Sequence, residues 1–292
     1  MLNSQLLAVF FMVLSMISYQ VSAAFAKSLI AILDPLSVTI LRLFFAAIIV
    51  CLMFRSWQIL SRLSHLKWKS LLCYSAALGC MNILFYISLG KLPQGIAVGL
   101  EFIGPLGLAL LSTKNKQDYI WVALAILGIA LMVPWGSNQD HQFSIIGALC
   151  ALAAGLCWAA YIHFGQQVVQ QNIGMHALTI AISLSVICLL PIGLYQHAEI
   201  LFDQRYWGQA LIIAILATAL PYTLDLQALK RLNKASYGVL SSLSPVLAAL
   251  TGLLLLGEKI TMAQWIALLC IMLASIGITY RSIQIAKNTA KT

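Results

Sequence analysis

Arg42, Glu101 and Asp225 each interrupt a long apolar run. A charged side chain in hydrocarbon costs about 2.5–3.5 kcal/mol on the insertion scale, so each should face a protein interior or water rather than lipid. Arg42 and Glu101 both lie six residues from the start of their runs, about 9 Å along a helix at 1.5 Å per residue, so they could meet at one depth. Such a pair permits two chemistries. It can brace two helices as a salt bridge, or it can offer complementary ends to a zwitterion. In the second case Arg42 takes a carboxylate by paired hydrogen bonds and Glu101 takes an ammonium. Glu101 is also a candidate proton carrier, burial and a neighbouring cation acting on a carboxyl in opposite senses. Asp225 lies near the end of its run. Snorkelling, or pairing with the Lys230 cluster, explains it as well as substrate contact does.

Further polar side chains recur at helical spacing. Asn82 and Tyr86 share one helix face, Trp158 and Tyr161 another, and Tyr222 lies on the face of Asp225. The amide of Asn82 needs partners in hydrocarbon, whereas aromatic stripes are also packing or interface anchors. His163 is the histidine kept as a proton carrier. Pro105 and Pro245 each fall within an apolar run, where proline frees a carbonyl four residues earlier and breaks the helix. For Pro105 that carbonyl belongs to Glu101. No HExxH, GxSxG, HxxxxD or paired aspartate motif occurs, which disfavours a membrane enzyme. The seven cysteines have neither CxxC nor metal-ligand spacing and are expected to be small core-facing hydrophobes, so no metal or organic cofactor is implied.

The elements that hold these residues follow from composition. Of 292 residues 62% are hydrophobic and 9% charged, against about 25% charged in soluble domains, which excludes a soluble globular protein. Apolar runs at about 6–26, 36–54, 70–89, 95–112, 119–134, 145–163, 177–195, 208–228, 237–256 and 263–280 make ten candidate spans. They lack the period-two alternation of a membrane β-barrel. The fold class expected is therefore an all-α integral membrane protein. With the N-terminus inside, twelve Lys and Arg fall on one side, four on the other and Arg42 within a span, so the positive-inside rule puts both termini in the cytoplasm. The net charge of +9 comes from these short turns rather than from a basic surface, and nucleic acid is not an expected partner. Ala24-Phe25-Ala26 could pass for a signal-peptidase site, but the basic n-region is missing and the run is long, so the first span is expected to be retained.

A duplication is visible. A shift of 140 residues lays Leu89, Leu92, Leu100 and Pro105 over Leu229, Leu232, Leu240 and Pro245. Nearly the same shift brings Tyr19 and Phe25 onto Trp158 and Phe164, and Trp121 and Ala123 onto Trp265 and Ala267. Ten spans in two halves put an odd number in each. The halves, 1–140 and 141–292, should then be inverted repeats, a recurrent way to build a carrier. Ser241 stands where Glu101 stands in the first half, so the halves are not functionally equivalent.

Several stretches resemble the EamA branch of the drug/metabolite transporter superfamily: Ala26-Lys27-Ser28-Leu29, Leu41-Arg42-Leu43, Gly79-Cys80-Met81-Asn82, Gly95 to Phe102 with Gly104-Pro105-Leu106, Thr218-Ala219-Leu220-Pro221-Tyr222, and Leu256-Gly257-Glu258. Within that branch the similarity is greatest to bacterial exporters of threonine and homoserine. The resemblance implies a ten-helix inverted-repeat carrier of the bacterial inner membrane that exports small amino acids, driven by protons. The substrate path would run between the halves, past Arg42, Asn82, Tyr86, Glu101, Trp158, Tyr161 and Tyr222. The partners implied are an amino-acid substrate, protons and lipid, with a homodimer left open. Two rivals stand beside it: a carrier of another metabolite or drug, aromatic or amphiphilic, and a non-transporting scaffold in which Arg42 and Glu101 are only a brace.

Overall fold

A computed structural model describes residues 2–59, 67–111, 119–132, 144–169, 171, 173–229, 231–232 and 234–289, which are helical apart from short turns. The basic positions Arg62, Lys114, Lys116, Lys230 and Lys291, counted for orientation, lie outside the described residues, as do His65 and His141.

The helices in chain order are α1 (Leu2–Ile30), α2 (Pro35–Phe54), α3 (Trp68–Leu89), α4 (Gln94–Glu101), α5 (Ile103–Leu111), α6 (Tyr119–Met132), α7 (Ile145–Val169), α8 (His176–Phe202), α9 (Trp207–Ala214), α10 (Leu220–Leu229), α11 (Lys234–Ser241), α12 (Ser244–Leu256) and α13 (Met262–Thr289). Eight stretches are long and apolar enough to cross a bilayer, and two shorter apolar ones, Gln94–Leu108 and Ala123–Met132, complete the ten. The protein is an all-helical, multi-pass membrane protein. Large apolar side chains such as Leu254, Ile145 and Leu156 are left exposed, 77%, 72% and 70%, on surfaces that lipid covers.

Three expected spans are not continuous helices. The fourth breaks at Phe102 between α4 and α5, and the ninth at Ser242 and Leu243 between α11 and α12. Each break comes two or three residues before a proline, Pro105 or Pro245, whose ring cannot follow a straight helix. The eighth passes through a π-helical segment, Ile215–Ala219, ahead of Pro221. Backbone carbonyls along that span find partners on α1. Ser22 donates to Ile213 O (2.9 Å), Ser18 to Leu216 O (2.7 Å) and Ser15 to Pro221 O (3.3 Å). These serines, three and four residues apart, form one stripe of α1, and in a membrane such partners replace the water that loosened carbonyls would otherwise need. Several helices also outrun their apolar stretches: α7 extends to Val169 and α8 to Phe202.

α3 lies along α7, α2 on α8, α6 on α13, and α1 against α10 and α12. α4 packs on α12 and α7. Backbones meet closely along this span: a methyl group at Gly95 of α4 would lie 2.6 Å from the Ala249 side chain of α12, and one at Gly104 of α5 only 1.8 Å from the Gly155 carbonyl oxygen of α7. The other halves of the two broken spans diverge, α5 packing on α7 and α13, and α11 on α13 and α1.

Cysteine placement departs from expectation. Cys270 is buried, but Cys80 and Cys188 are exposed and the remaining four are half-buried. An apolar thiol suits a lipid-facing or cavity-facing position as well as a core, so hydrophobicity did not decide the side. All seven are free thiols.

Candidate functional site

Arg42 is placed by α2, whose start is fixed by Asp34, the N-cap whose carboxylate accepts from Ser37 N at 2.9 Å, and by Pro35 in the first turn. Its side chain is 6% exposed. The guanidinium donates from Nη1 to Asn82 Oδ1 at 2.6 Å and lies 5.5 Å from the centre of the Tyr86 ring. Asn82 is oriented by its own donation from Nδ2 to Leu78 O at 2.8 Å. Asn82 and Tyr86 thus present one face of α3 to the arginine, as their spacing predicts. Tyr19 of α1 also lies near the guanidinium. Arg42 Nε is buried and without a partner among the described residues.

Glu101 ends α4 at the break, 9% exposed. Arg42 bears on it electrostatically, yet the two form no ion pair within 4.0 Å; the pairs formed among the described residues are Lys27–Glu258, His197–Asp34 and Arg205–Asp203. Cys80 and Cys157 flank this region, Cys157 being close enough to feel both Cys80 and the Glu101 carboxyl. The Glu101 carbonyl, which Pro105 deprives of its helical donor, lies against Gly155 of α7, where a methyl group would come within 2.4 Å of its oxygen. Glycine at both 104 and 155 is what lets the broken span approach α7 so closely.

On α7, Trp158 meets Phe102 edge to face with ring centres 5.7 Å apart. One turn further, Tyr161 stacks on Tyr74 at 4.5 Å and accepts a hydrogen bond from the Tyr74 hydroxyl at 2.7 Å, with Tyr222 of α10 close by. The structure therefore brings Arg42, Asn82, Tyr86 and Glu101 into one group and joins Tyr161 to Tyr74 in another, with Tyr222 nearby. His163 stands apart: it is exposed and touches Gln167 (3.3 Å) and Phe164. Asp225 of α10 is partly buried and lies near the hydroxyls of Ser15 on α1 and Tyr237 on α11.

Sequence reasoning passed over Tyr19 and Tyr74. Tyr19 entered only as the repeat partner of Trp158, and that correspondence was itself the signal. Tyr74 lies eight residues before Asn82, hence on the same stripe of α3 as Asn82 and Tyr86. No group of three or more His, Cys, Asp or Glu that could hold a metal occurs among the described residues.

Residues 145–280 match the EamA-like transporter family. Over 273 residues the chain is 39% identical to the threonine/homoserine exporter RhtA of Salmonella typhimurium and of Escherichia coli, covering 94% of this chain and 91% of each relative. The chain belongs to the EamA-like transporter family. Its membership places it in the drug/metabolite transporter superfamily, as the sequence motifs imply. A more distant relative, the uncharacterized transporter YwfM of Bacillus subtilis, is 25% identical and covers 73% of this chain and 75% of its own. A crystal structure at 17% identity superposes with a TM-score of 0.61, covering 95% of this chain and 97% of that one, which supports the fold alone. Family membership makes this EamA protein a membrane transporter.

Proposed function

We propose that the protein is a secondary exporter of small neutral amino acids, threonine or homoserine first among them, working by alternating access in the bacterial inner membrane with both termini in the cytoplasm. The observation that carries this reading is the unneutralised Arg42. A buried guanidinium whose Nε has no partner among the described residues, held by an uncharged amide and with the Glu101 carboxyl near it but outside ion-pair distance, leaves a cation incompletely satisfied in a low-dielectric interior. The carboxylate of a zwitterion completes it, and the ammonium then meets the Glu101 carboxyl. Arg42, steadied by Asn82 and Tyr86, takes the substrate carboxylate, and Glu101 takes the ammonium and exchanges a proton. Trp158, Tyr161 and Tyr222 line the path. The name of the RhtA relatives supports the substrate class.

Two five-helix repeats, 1–140 and 141–292, in inverted orientation account for the matched helix breaks at 102 and 242, which lie 140 residues apart. With the Lys27 end outside, as loop charge directs, α4 and α12 pack together at the outer end while α5 and α11 pack on other neighbours at the inner one. This supports reading the carrier as closed at its outer end.

The test is uptake of labelled amino acids into inside-out vesicles, with and without an imposed pH gradient. Uptake of threonine or homoserine that rises with an inwardly acidic gradient, and loses that rise in Glu101→Gln, is the expected result. Gradient-independent uptake removes the antiport, and uptake of neither amino acid removes the substrate class. The aromatic pairs Phe102–Trp158 and Tyr74–Tyr161 favour a second reading, an aromatic or amphiphilic solute. Failure of threonine to compete with such a compound for transport would select it.

A further inference from the structure

At the end of the bundle away from Arg55 and Lys67, a second set of charged and polar groups is buried that substrate binding does not use. Lys27, near the end of α1, pairs with Glu258 Oε1 at 2.6 Å and also donates to the Leu92 carbonyl. The other carboxylate oxygen, Oε2, accepts from the backbone N–H of Gln94, the first residue of α4, at 2.7 Å. A carboxylate suits a helix N-terminus, where N–H groups are unsatisfied and the dipole is positive. The side chains are 22% and 9% exposed. Directly beside them, Gln94 is fully buried, and its Nε2 reaches the Gln20 carbonyl (2.8 Å) on α1 and Thr251 Oγ1 (3.0 Å) on α12. One carboxylate and one amide thus tie together α1, the start of α4 and the end of α12.

The local backbone is built for this contact. Gly257 ends α12 in the left-handed region (φ 64°), which turns the chain back on itself. Glu258 N then donates to Gly252 O at 3.1 Å, and the carboxylate lies so close to Gly252 that an added methyl group would sit 2.3 Å from Oε2. Glycine at 252 and 257 and acid at 258 form one device, in which the two glycines bring the charge inward over α4.

We propose that Lys27, Glu258 and the Gln94 N–H form the external latch of the transport path, closed in the cytoplasm-facing state and broken each time cargo is released outside. The proposal rests on the alternating-access reading above and deepens it by naming the contact that holds the outer end shut. α1, α4 and α12 belong to both halves of the chain, so no relative movement of the halves that opens the outer end leaves all of these bonds intact. The ion pair is partly shielded from water, so removing one partner leaves the other charge uncompensated, while the exposed side of Lys27 leaves room for hydration when the pair opens. Its net strength sets how much of the population rests closed to the outside.

The test uses the full chain in right-side-out vesicles, with its seven native cysteines replaced by alanine and Gln20→Cys introduced. This change keeps the Gln20 backbone carbonyl that Gln94 Nε2 uses at 2.8 Å and removes only the longer 3.3 Å contact to Gln20 Oε1, so all variants are compared on this background. The readout is the rate of labelling by a membrane-impermeant maleimide added outside. Glu258→Gln is expected to raise that rate by about tenfold, the effect of losing one partly buried charge pair on a two-state equilibrium. Lys27→Met, which leaves Glu258 on the Gln94 N–H, should raise it less. The double exchange Lys27→Glu with Glu258→Lys should restore slow labelling in part. Labelling unchanged in both single variants overturns the latch. If Glu258→Gln does not reach the membrane, Lys27→Met and the double exchange decide alone. Labelling needs no transported amino acid, so a latch that opens in the variants while threonine is not carried overturns the substrate reading and not the latch. Threonine carried normally with labelling unchanged does the reverse.

Discussion

Arg42 and Glu101 occupy a depth where a charge has to be compensated, and neither compensates the other by direct contact. A brace and a zwitterion clamp predict opposite results for exchanging them. Arg42→Glu with Glu101→Arg restores a brace, because attraction between the two helices is symmetric. It destroys a clamp, because the substrate would then meet each charge with the wrong end. The expected outcome is loss of threonine transport of at least about a hundredfold, from two charge-assisted contacts worth about 1.5–3 kcal/mol each, with the protein still inserted and monodisperse. Asn82→Leu should be milder in assembly and severe in transport: it removes the 2.6 Å acceptor that orients the guanidinium and leaves the charge buried with one partner fewer. Substrate affinity measured by scintillation proximity checks both.

At the scale of elements, the broken fourth span is the part on which the site depends. Gly104 and Gly155 let α5 and α7 touch through their backbones, and Glu101 is carried to the centre by that contact. Gly104→Ala puts a methyl group 1.8 Å from the Gly155 carbonyl oxygen, where no side chain can yield. The expected cost is about 1–3 kcal/mol from overpacking, read as a lower unfolding temperature in detergent together with weaker substrate binding. The helices themselves were legible in the chain: apolar length and punctuation by Pro, Gly and charge marked out ten. Their interruptions were legible only at the prolines. The π-helical turn at Ile215–Ala219 and the serines of α1 that bond to that span were not, since Ser15, Ser18 and Ser22 look like ordinary small residues until their partners two hundred residues away are known.

For the whole molecule, the prediction concerns orientation. A green fluorescent protein fused after Thr292 should fluoresce and an alkaline phosphatase fused there should be inactive, if the start is cytoplasmic as the loop charges predict, since ten crossings then end on the same side. The reverse pattern would reverse the direction of transport inferred here, since the packed α4 and α12 end would then face inward.

Composition and periodicity alone determined that this is a membrane protein of ten apolar crossings, because hydrocarbon admits so few ways of satisfying a backbone that length and hydropathy suffice. The local pattern also marked Arg42, Asn82, Tyr86 and Glu101 as costly and therefore purposeful. Tertiary structure alone decided which of them meet. Arg42 bonds to Asn82 rather than to Glu101, Tyr161 joins Tyr74, and Lys27 finds Glu258 from the far end of the chain. Depth along a helix can be counted from sequence. Rotation about its axis and choice of neighbour depend on close packing, where one missing methyl group at Gly104, Gly155 or Gly252 sets which surfaces touch.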